Sequence, residues 1–155
     1  MGRIRLSRTV NAPPGTVYNV ARNLDHYPSI MANLRQIDLL EKSADGGYIK
    51  ARWHAEAKIV MTKRKMCWVQ EDQWDACGMK CVSRVDPCEP GRFRHMNALW
   101  HFRPHPSGTV MHFDMDFQLS HPMATPAVHK IIDGIMERNN AAMLDGIKRI
   151  AEKKS

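Results

Sequence analysis

Residues 109 to 119 read as a strand, and from 111 to 119 they alternate without a break. Met111, Phe113, Met115, Phe117 and Leu119 take one parity; His112, Asp114, Asp116 and Gln118 take the other. Successive side chains of a β-strand point to opposite faces, so this segment belongs to a sheet with one dry and one wet side. Met96, Ala98, Trp100 and Phe102 share a face in the same way, as do Met66 and Trp68. A one-sided sheet must cover its dry face. The chain offers one long cover: from about Thr125 to Lys153, Val128, Ile131, Ile132, Ile135, Ala142, Met143, Ile147 and Ile150 fall at helical spacing. Pro126 stands in the first turn of that helix and lysines close it. The sheet face is bulky, whereas the helix offers Ile, Ala and Gly146 toward it. A strongly curved sheet around such a helix encloses an apolar space, the usual setting of a ligand site.

The remaining elements follow in order. Residues 3 to 11 predict a strand. Pro13-Pro14 opens a helix with Val17, Val20, Ala21 and Leu24 on one stripe, and a second short helix starts near Pro28 and carries Ile30 and Met31. Strands are predicted over 34–42, 48–57, 58–70, 73–86 (broken near Gly78) and 92–103. Ser43-Ala44-Asp45-Gly46-Gly47, the Pro87/Pro90 loop and Pro104 to Gly108 supply turns. The pattern predicts an α+β fold filling 1–155 as one domain, with about seven antiparallel strands, two short helices after the first strand, and a long C-terminal helix.

Composition narrows the function classes. A chain of 155 residues needs no disulfide or metal staple to bury a core. Cysteines 67, 77, 81 and 88 do not make paired CxxC knuckles, and the eight histidines form no HExxH, so no metal site is expected and the cysteines read as free, half-buried thiols. Cys77 and Cys81 lie close, but nothing near them argues for a lowered thiol pKa. No apolar run approaches the ~20 residues of a membrane helix. The N-terminal residues carry no signal core, and Leu6 breaks the myristoylation pattern, so a cytoplasmic address is expected. A net charge of +7 favours an acidic partner or anionic ligand, without the stacking-aromatic basic motif of a nucleic-acid binder. Eleven methionines against four phenylalanines suit an adaptable apolar pocket.

This order of elements resembles the helix-grip, START-like fold. Val10-Asn11-Ala12-Pro13 entering a helix, then Asp25-His26-Tyr27-Pro28, is similar to the opening of bacterial cyclase and coenzyme Q-binding members. Gly91-Arg92-Phe93-Arg94-His95-Met96-Asn97-Ala98-Leu99-Trp100, Gly108-Thr109 before the alternating strand, and the helix end from Asn140 to Ile150 resemble the tetracenomycin-type polyketide aromatase/cyclases. The resemblance covers nearly the whole chain. It implies regiospecific aldol closure and dehydration of a poly-β-ketone held on an acyl carrier protein, in an interior pocket, with no cofactor or metal. It implies neither nucleic acid nor membrane as partner, and a monomer or homodimer. A non-catalytic carrier of a quinone or lipid is the alternative that the same fold implies.

Carried onto this chain, the family's pocket arginine falls on Arg84. Pocket positions fall on Tyr27, Met31, Met66, Trp68, Phe93, Met96, Trp100 and Phe113. The polar partners differ: Leu34 stands where the family has tyrosine, Asp72 where it has a second arginine, and Gln70 where it has serine. Arg84 is expected to hold an enolate or carbonyl oxygen, or else to be an exposed strand-end arginine, or one paired with Asp72 or Asp86. Asp72 would act as general base if buried, or as the structural counter-ion of Arg84. Gln70 would bond a substrate oxygen or face solvent. Trp68, Trp100 and Phe113 would offer flat walls to a ring, or simply pack the core. Asn139 interrupts the last helix's stripe and would look into the pocket or sit at its edge. His54 and Glu56 share one strand face, either as an acid/base pair or as part of a wet outer surface.

Overall fold

A computed structural model describes residues 2–59, 61–120 and 125–154. Strand β1 (Gly2–Val10) leads into helix α1 (Pro14–Arg22). A single 3-10 turn, Leu24–His26, then precedes the four-residue helix α2 (Tyr27–Ile30). Six strands follow: β2 (Leu34–Lys42), β3 (Tyr48–Ile59), β4 (Thr62–Asp75), β5 (Lys80–Val85), β6 (Phe93–His105) and β7 (Gly108–Leu119). Helix α3 (Pro126–Lys154) ends the chain. The seven strands form one antiparallel sheet in the order β1-β7-β6-β5-β4-β3-β2. This is the helix-grip architecture expected above.

The prediction for 58–70 and 73–86 is corrected here. β3 runs on to Ile59, β4 occupies 62–75, and the turn near Gly78 separates β4 from β5. Ile59, Met61 and Thr62 at the hairpin carry no turn signal, whereas Asp75 caps the β4–β5 turn by accepting the Gly78 N–H at 3.0 Å.

The two faces of the sheet separate cleanly. Along β4, Met66, Trp68, Gln70, Asp72 and Trp74 face the concave side, and Cys67, Glu71 and Gln73 face out. Val69 also points outward yet is buried, because the β5–β6 loop folds back over it. The Asp86 N–H donates to the Val69 carbonyl at 2.8 Å, and the Val69 N–H donates to the Glu89 carbonyl at 2.9 Å. Lys50 to Asp86 and Arg52 to Glu89, each at 3.0 Å, pin that loop to β3. Gly91 has a φ of +61°, and a Cβ there would lie 2.0 Å from the Cys67 carbonyl oxygen. Only glycine lets the loop approach β4 so closely.

Helix α3 grips the concave face by its C-terminal half. Its buried residues are Asn140, Met143, Leu144, Gly146, Ile147 and Ala151. The predicted stripe is thus partly corrected: Ile131 and Ala142 are exposed, and Leu144 takes the core position. Gly146 is where α3 meets α2, since a Cβ there would stand 2.5 Å from Ile30 Cβ. Lys148 donates to the Thr9 carbonyl at 2.7 Å, and Glu152 accepts the Asn11 N–H at 2.9 Å. Residues 126–139 of α3, by contrast, contain no fully buried side chain. One end of the helix is clamped and the other lies over the sheet.

Candidate functional site

The concave face does not fill. Between β3–β7 and the middle of α3 lies a cavity of which about 120 Å³ is open to the centre of a water molecule. Trp53, Ala55 and Ala57 line it from β3, and Met66, Trp68, Gln70, Asp72 and Trp74 from β4. Ser83 comes from β5, Phe93, Met96, Ala98 and Trp100 from β6, and Phe113 and Met115 from β7. Tyr27, Met31, Asn33 and Leu34 close one side. Ile135, Met136, Asn139, Asn140 and Met143 of α3 close the top.

The aromatic wall is continuous. Trp53 and Trp68 are cross-strand partners with rings stacked at 6.0 Å and 14°. Phe93 stands edge-on to Trp68 at 5.4 Å, and Phe113 edge-on to Trp100 at 4.8 Å. Such edge and offset arrangements favour flat, rigid walls. The indole N–H groups of Trp53 and Trp74 are buried without a partner among the described residues. Leaving a buried donor unpaired costs about 1–3 kcal/mol, stability given up in the wall of the cavity.

One carboxyl interrupts this surface. Asp72 is 3% exposed and has no cation beside it among the described residues. Trp68 Nε1 donates to Gln70 Oε1 at 3.2 Å, and Gln70 Nε2 donates to Asp72 Oδ1 at 2.9 Å. The indole fixes which way the Gln70 amide points, and the amide fixes the carboxyl. Ser83, the cross-strand partner of Asp72, faces the cavity beside it. Burial raises the Asp72 pKa, and the nearby Ser83 hydroxyl and the Gln70 amide only partly oppose it. The carboxyl therefore keeps its proton to higher pH than an exposed aspartate does, which suits a group that takes and returns protons. Tyr27 is the other titratable group in the wall. Burial holds its phenol well above the usual range, and its hydroxyl donates to the Ala21 carbonyl, so it is occupied in holding α2 on α1.

Arg84 is corrected. Its side chain lies on the outer face, 60% exposed, with Nε donating to Glu71 Oε2 at 3.0 Å. In β5 the inward parity belongs to Cys81 and Ser83, and a shift of one residue moves a side chain to the other side of the sheet. Neither Asp72 nor Asp86 is its partner. Gln70 and Asp72 face the cavity, as do Tyr27, Met31, Met66, Trp68, Phe93, Met96, Trp100 and Phe113. Asn139 lies at the mouth, where its Oδ1 accepts the Asn33 amide at 3.0 Å and ties α3 to the turn before β2. His54 is on the outer face, bonded to Asp38 at 2.8 Å; Trp53, of opposite parity, is the cavity residue of that strand. The thiols also differ from expectation: Cys67, Cys77 and Cys88 are exposed and only Cys81 is buried. Trp53, Trp74 and Ser83 were not anticipated as site residues. Their signal was parity alone, Trp53 against His54 and Ser83 against Arg84.

The family described as polyketide cyclase / dehydrase and lipid transport matches residues 10–144. A Streptomyces cyaneus protein named "Putative polyketide cyclase" is 26% identical over 111 residues, 72% of this chain and 69% of that protein. A solved structure from Thermus thermophilus superposes with a TM-score of 0.84 at 22% identity, covering 99% of both chains. The Zhui aromatase/cyclase of Streptomyces sp. R1128 superposes with a TM-score of 0.82 at 20% identity, over 98% of this chain and 94% of that one.

Proposed function

Because the chain belongs to the polyketide cyclase/dehydrase and lipid transport family, we propose that it closes and dehydrates a ring in a poly-β-ketone chain, with Asp72 as its acid and base. The observation that carries this reading is the lone buried carboxyl, with no cation beside it among the described residues, in the wall of a largely apolar, aromatic cavity.

The chemistry asks for one proton to be moved and returned. As carboxylate, Asp72 takes a proton from a methylene carbon between two carbonyls. The carbanion attacks a ketone carbon further along the chain, a C–C bond forms, and the new alkoxide recovers the proton from Asp72. A second abstraction from the adjacent carbon, with that proton delivered to the departing hydroxyl, expels water and leaves the C=C bond from which the aromatic ring enolises. The walls contribute orientation, a large term when a reactive chain could close in several ways. Gln70 and Trp68 act as positioning residues, since they hold the carboxyl in place. The substrate is neutral where it meets the site, because no cation among the described residues faces Asp72.

The cavity is small beside the roughly 300–1,000 Å³ of a site for a drug-sized ligand. Admission of a multi-ketide chain requires the mouth to widen, and the loosely buried stretch 126–139 of α3 is the wall that yields.

The test is reconstitution with a minimal aromatic polyketide synthase and its acyl carrier protein, products being read by mass spectrometry. The protein is expected to redirect products toward one ring pattern, and Asp72→Asn to abolish that redirection. An unchanged spectrum across several chain lengths would reject the cyclase reading in favour of a carrier of an apolar ligand.

A further inference from the structure

Asp38, His54 and Cys67 form a row across three neighbouring strands, β2, β3 and β4. His54 and Cys67 stand directly opposite each other in the β3–β4 register, and both face outward, away from the cavity. Side chains opposed in this way have Cβ atoms about 4.5–5.5 Å apart. On its other side the His54 ring is bonded through Nε2 to Asp38 Oδ2 at 2.8 Å. Asp38 Oδ1 accepts the Gln36 amide. These bonds, from Gln36 first and then from His54, hold the Asp38 carboxyl below its ordinary range, so it is ionised near neutral pH.

That network fixes the state of the ring. An ionised carboxylate only accepts hydrogen bonds, so Nε2 carries the proton of the neutral imidazole and Nδ1 keeps its lone pair. The ring thus has one basic atom free. It has a carboxylate to steady the cation that forms when that atom is protonated, and a thiol as cross-strand neighbour. These are a nucleophile, a base and the group that orients the base. Cys67 is exposed and in no disulfide, and Arg52 lies within electrostatic reach of its sulfur. The other charged groups around it on this face are Lys65 and Glu56, which oppose each other, and Glu89, which holds Arg52 at 3.0 Å. Among the described residues neither other exposed cysteine has such neighbours. Cys77 is in the β4–β5 turn, and Cys88 is in the β5–β6 loop, its N–H donating to the Asp86 carboxylate at 2.9 Å.

We propose that Cys67 is a modification site, a thiol that exchanges with small disulfides, with His54 as its base and Asp38 as the positioning residue. His54 Nδ1 takes the thiol proton. The Cys67 sulfur attacks one sulfur of a disulfide R–S–S–R, a Cys67–S–S–R bond forms, and the old S–S bond breaks. The departing thiolate recovers the proton from His54 and leaves as R–SH. Cys67 is oxidised and the small disulfide is reduced, so no further oxidant is needed. The row lies on the face of the sheet opposite the cavity, and the assignment does not depend on the proposed function.

The experiment exposes the full chain to glutathione disulfide near neutral pH and follows each cysteine by intact mass and peptide mapping. In the wild type Cys67 is expected to form the mixed disulfide at least about tenfold faster than Cys77 or Cys88. His54→Gln keeps a donor for Asp38 but has no basic nitrogen. It should slow Cys67 by about tenfold and leave Cys77 and Cys88 unchanged, an effect that a merely structural role would not confine to one thiol. Asp38→Asn should slow Cys67 by a smaller factor. A Cys67 no faster than the other two overturns the inference, and so does a fast Cys67 that His54→Gln does not slow. If the buried Cys81 reacts in His54→Gln, that variant has lost its fold, and an unchanged Cys67 rate in Asp38→Asn then overturns the assignment.

Discussion

Replacement of Arg84 by alanine separates two accounts of how this cavity works. In the structure its guanidinium is 60% exposed on the outer face and bonded to Glu71, with the sheet between it and the cavity. An exposed pair of this kind contributes about 0.2–1 kcal/mol. Glu71 keeps another partner when the arginine is gone, because the Tyr48 hydroxyl donates to it at 3.0 Å. For a chain of this size 1 kcal/mol corresponds to about 2–4 °C in Tm. Arg84→Ala should therefore lower Tm by no more than about 4 °C, with kcat/KM for ring closure within about twofold of wild type. An arginine that stabilised an oxyanion would behave differently: losing such a donor costs on the order of 10²–10³ in rate. The assay is thermal unfolding by circular dichroism beside single-turnover product analysis. A hundredfold rate loss with an unchanged Tm would refute the assignment of Arg84 to the outer face.

Other outcomes follow from the same geometry. Asp72 has its pKa raised in the folded state above the ordinary 3.8. As pH rises through the ordinary carboxylate range only the unfolded chain ionises, so wild type loses stability, about 1.4 kcal/mol for each unit of elevation, until pH passes the folded value. The Tm of Asp72→Asn minus that of wild type should accordingly grow from acid toward neutral pH and then level off; a difference that shrinks with pH would contradict the burial argument. Trp100→Ala should cost about 3–5 kcal/mol and enlarge the cavity, measured by denaturant unfolding and by tighter binding of bulkier aromatic probes. Alkylation of the folded protein should label Cys67, Cys77 and Cys88, with Cys81 reacting only after unfolding, because burial pushes its thiol up and shields it. Intact-mass analysis before and after denaturant reads this directly.

The sheet, the long helix and the enclosed space were legible because their signals are strong. β7 alternates over nine residues, Met111 to Leu119, and the bulky faces of β6 and β4 share its period. The β3–β4 hairpin was misplaced because its turn carries no glycine, proline or asparagine, so the apolar texture runs through it. Spacing points to Ala142 where the structure buries Leu144, because α3 is gripped only at one end and spacing alone does not show which arc of the helix meets the sheet. The site was legible to the extent that parity was. Long alternating strands placed Met66, Trp68, Met96, Trp100 and Phe113 on the concave face. β5 has only six residues, in which Cys, Ser and Val do not distinguish dry from wet, so its own pattern offered nothing against the pocket position that the family resemblance implied for Arg84. Trp53 is hard to read because it alternates with the polar His54 and Glu56, although His54 is bonded to Asp38 on the outer face. The relay from Trp68 through Gln70 to Asp72 depends on side-chain orientation, which period two implies but does not specify.

The most direct test of the central claim is the rate of ring closure in Asp72→Asn beside its affinity for an aromatic polyketide product. Asparagine keeps the shape of the side chain and an oxygen to accept the Gln70 amide, so the product should bind within a few-fold of wild type. With no proton to take and return, closure and dehydration should slow by about 10²–10⁴. A variant that binds the product and closes the ring at the wild-type rate would contradict the account, and would leave the cavity as a shaped container with no acid or base of its own.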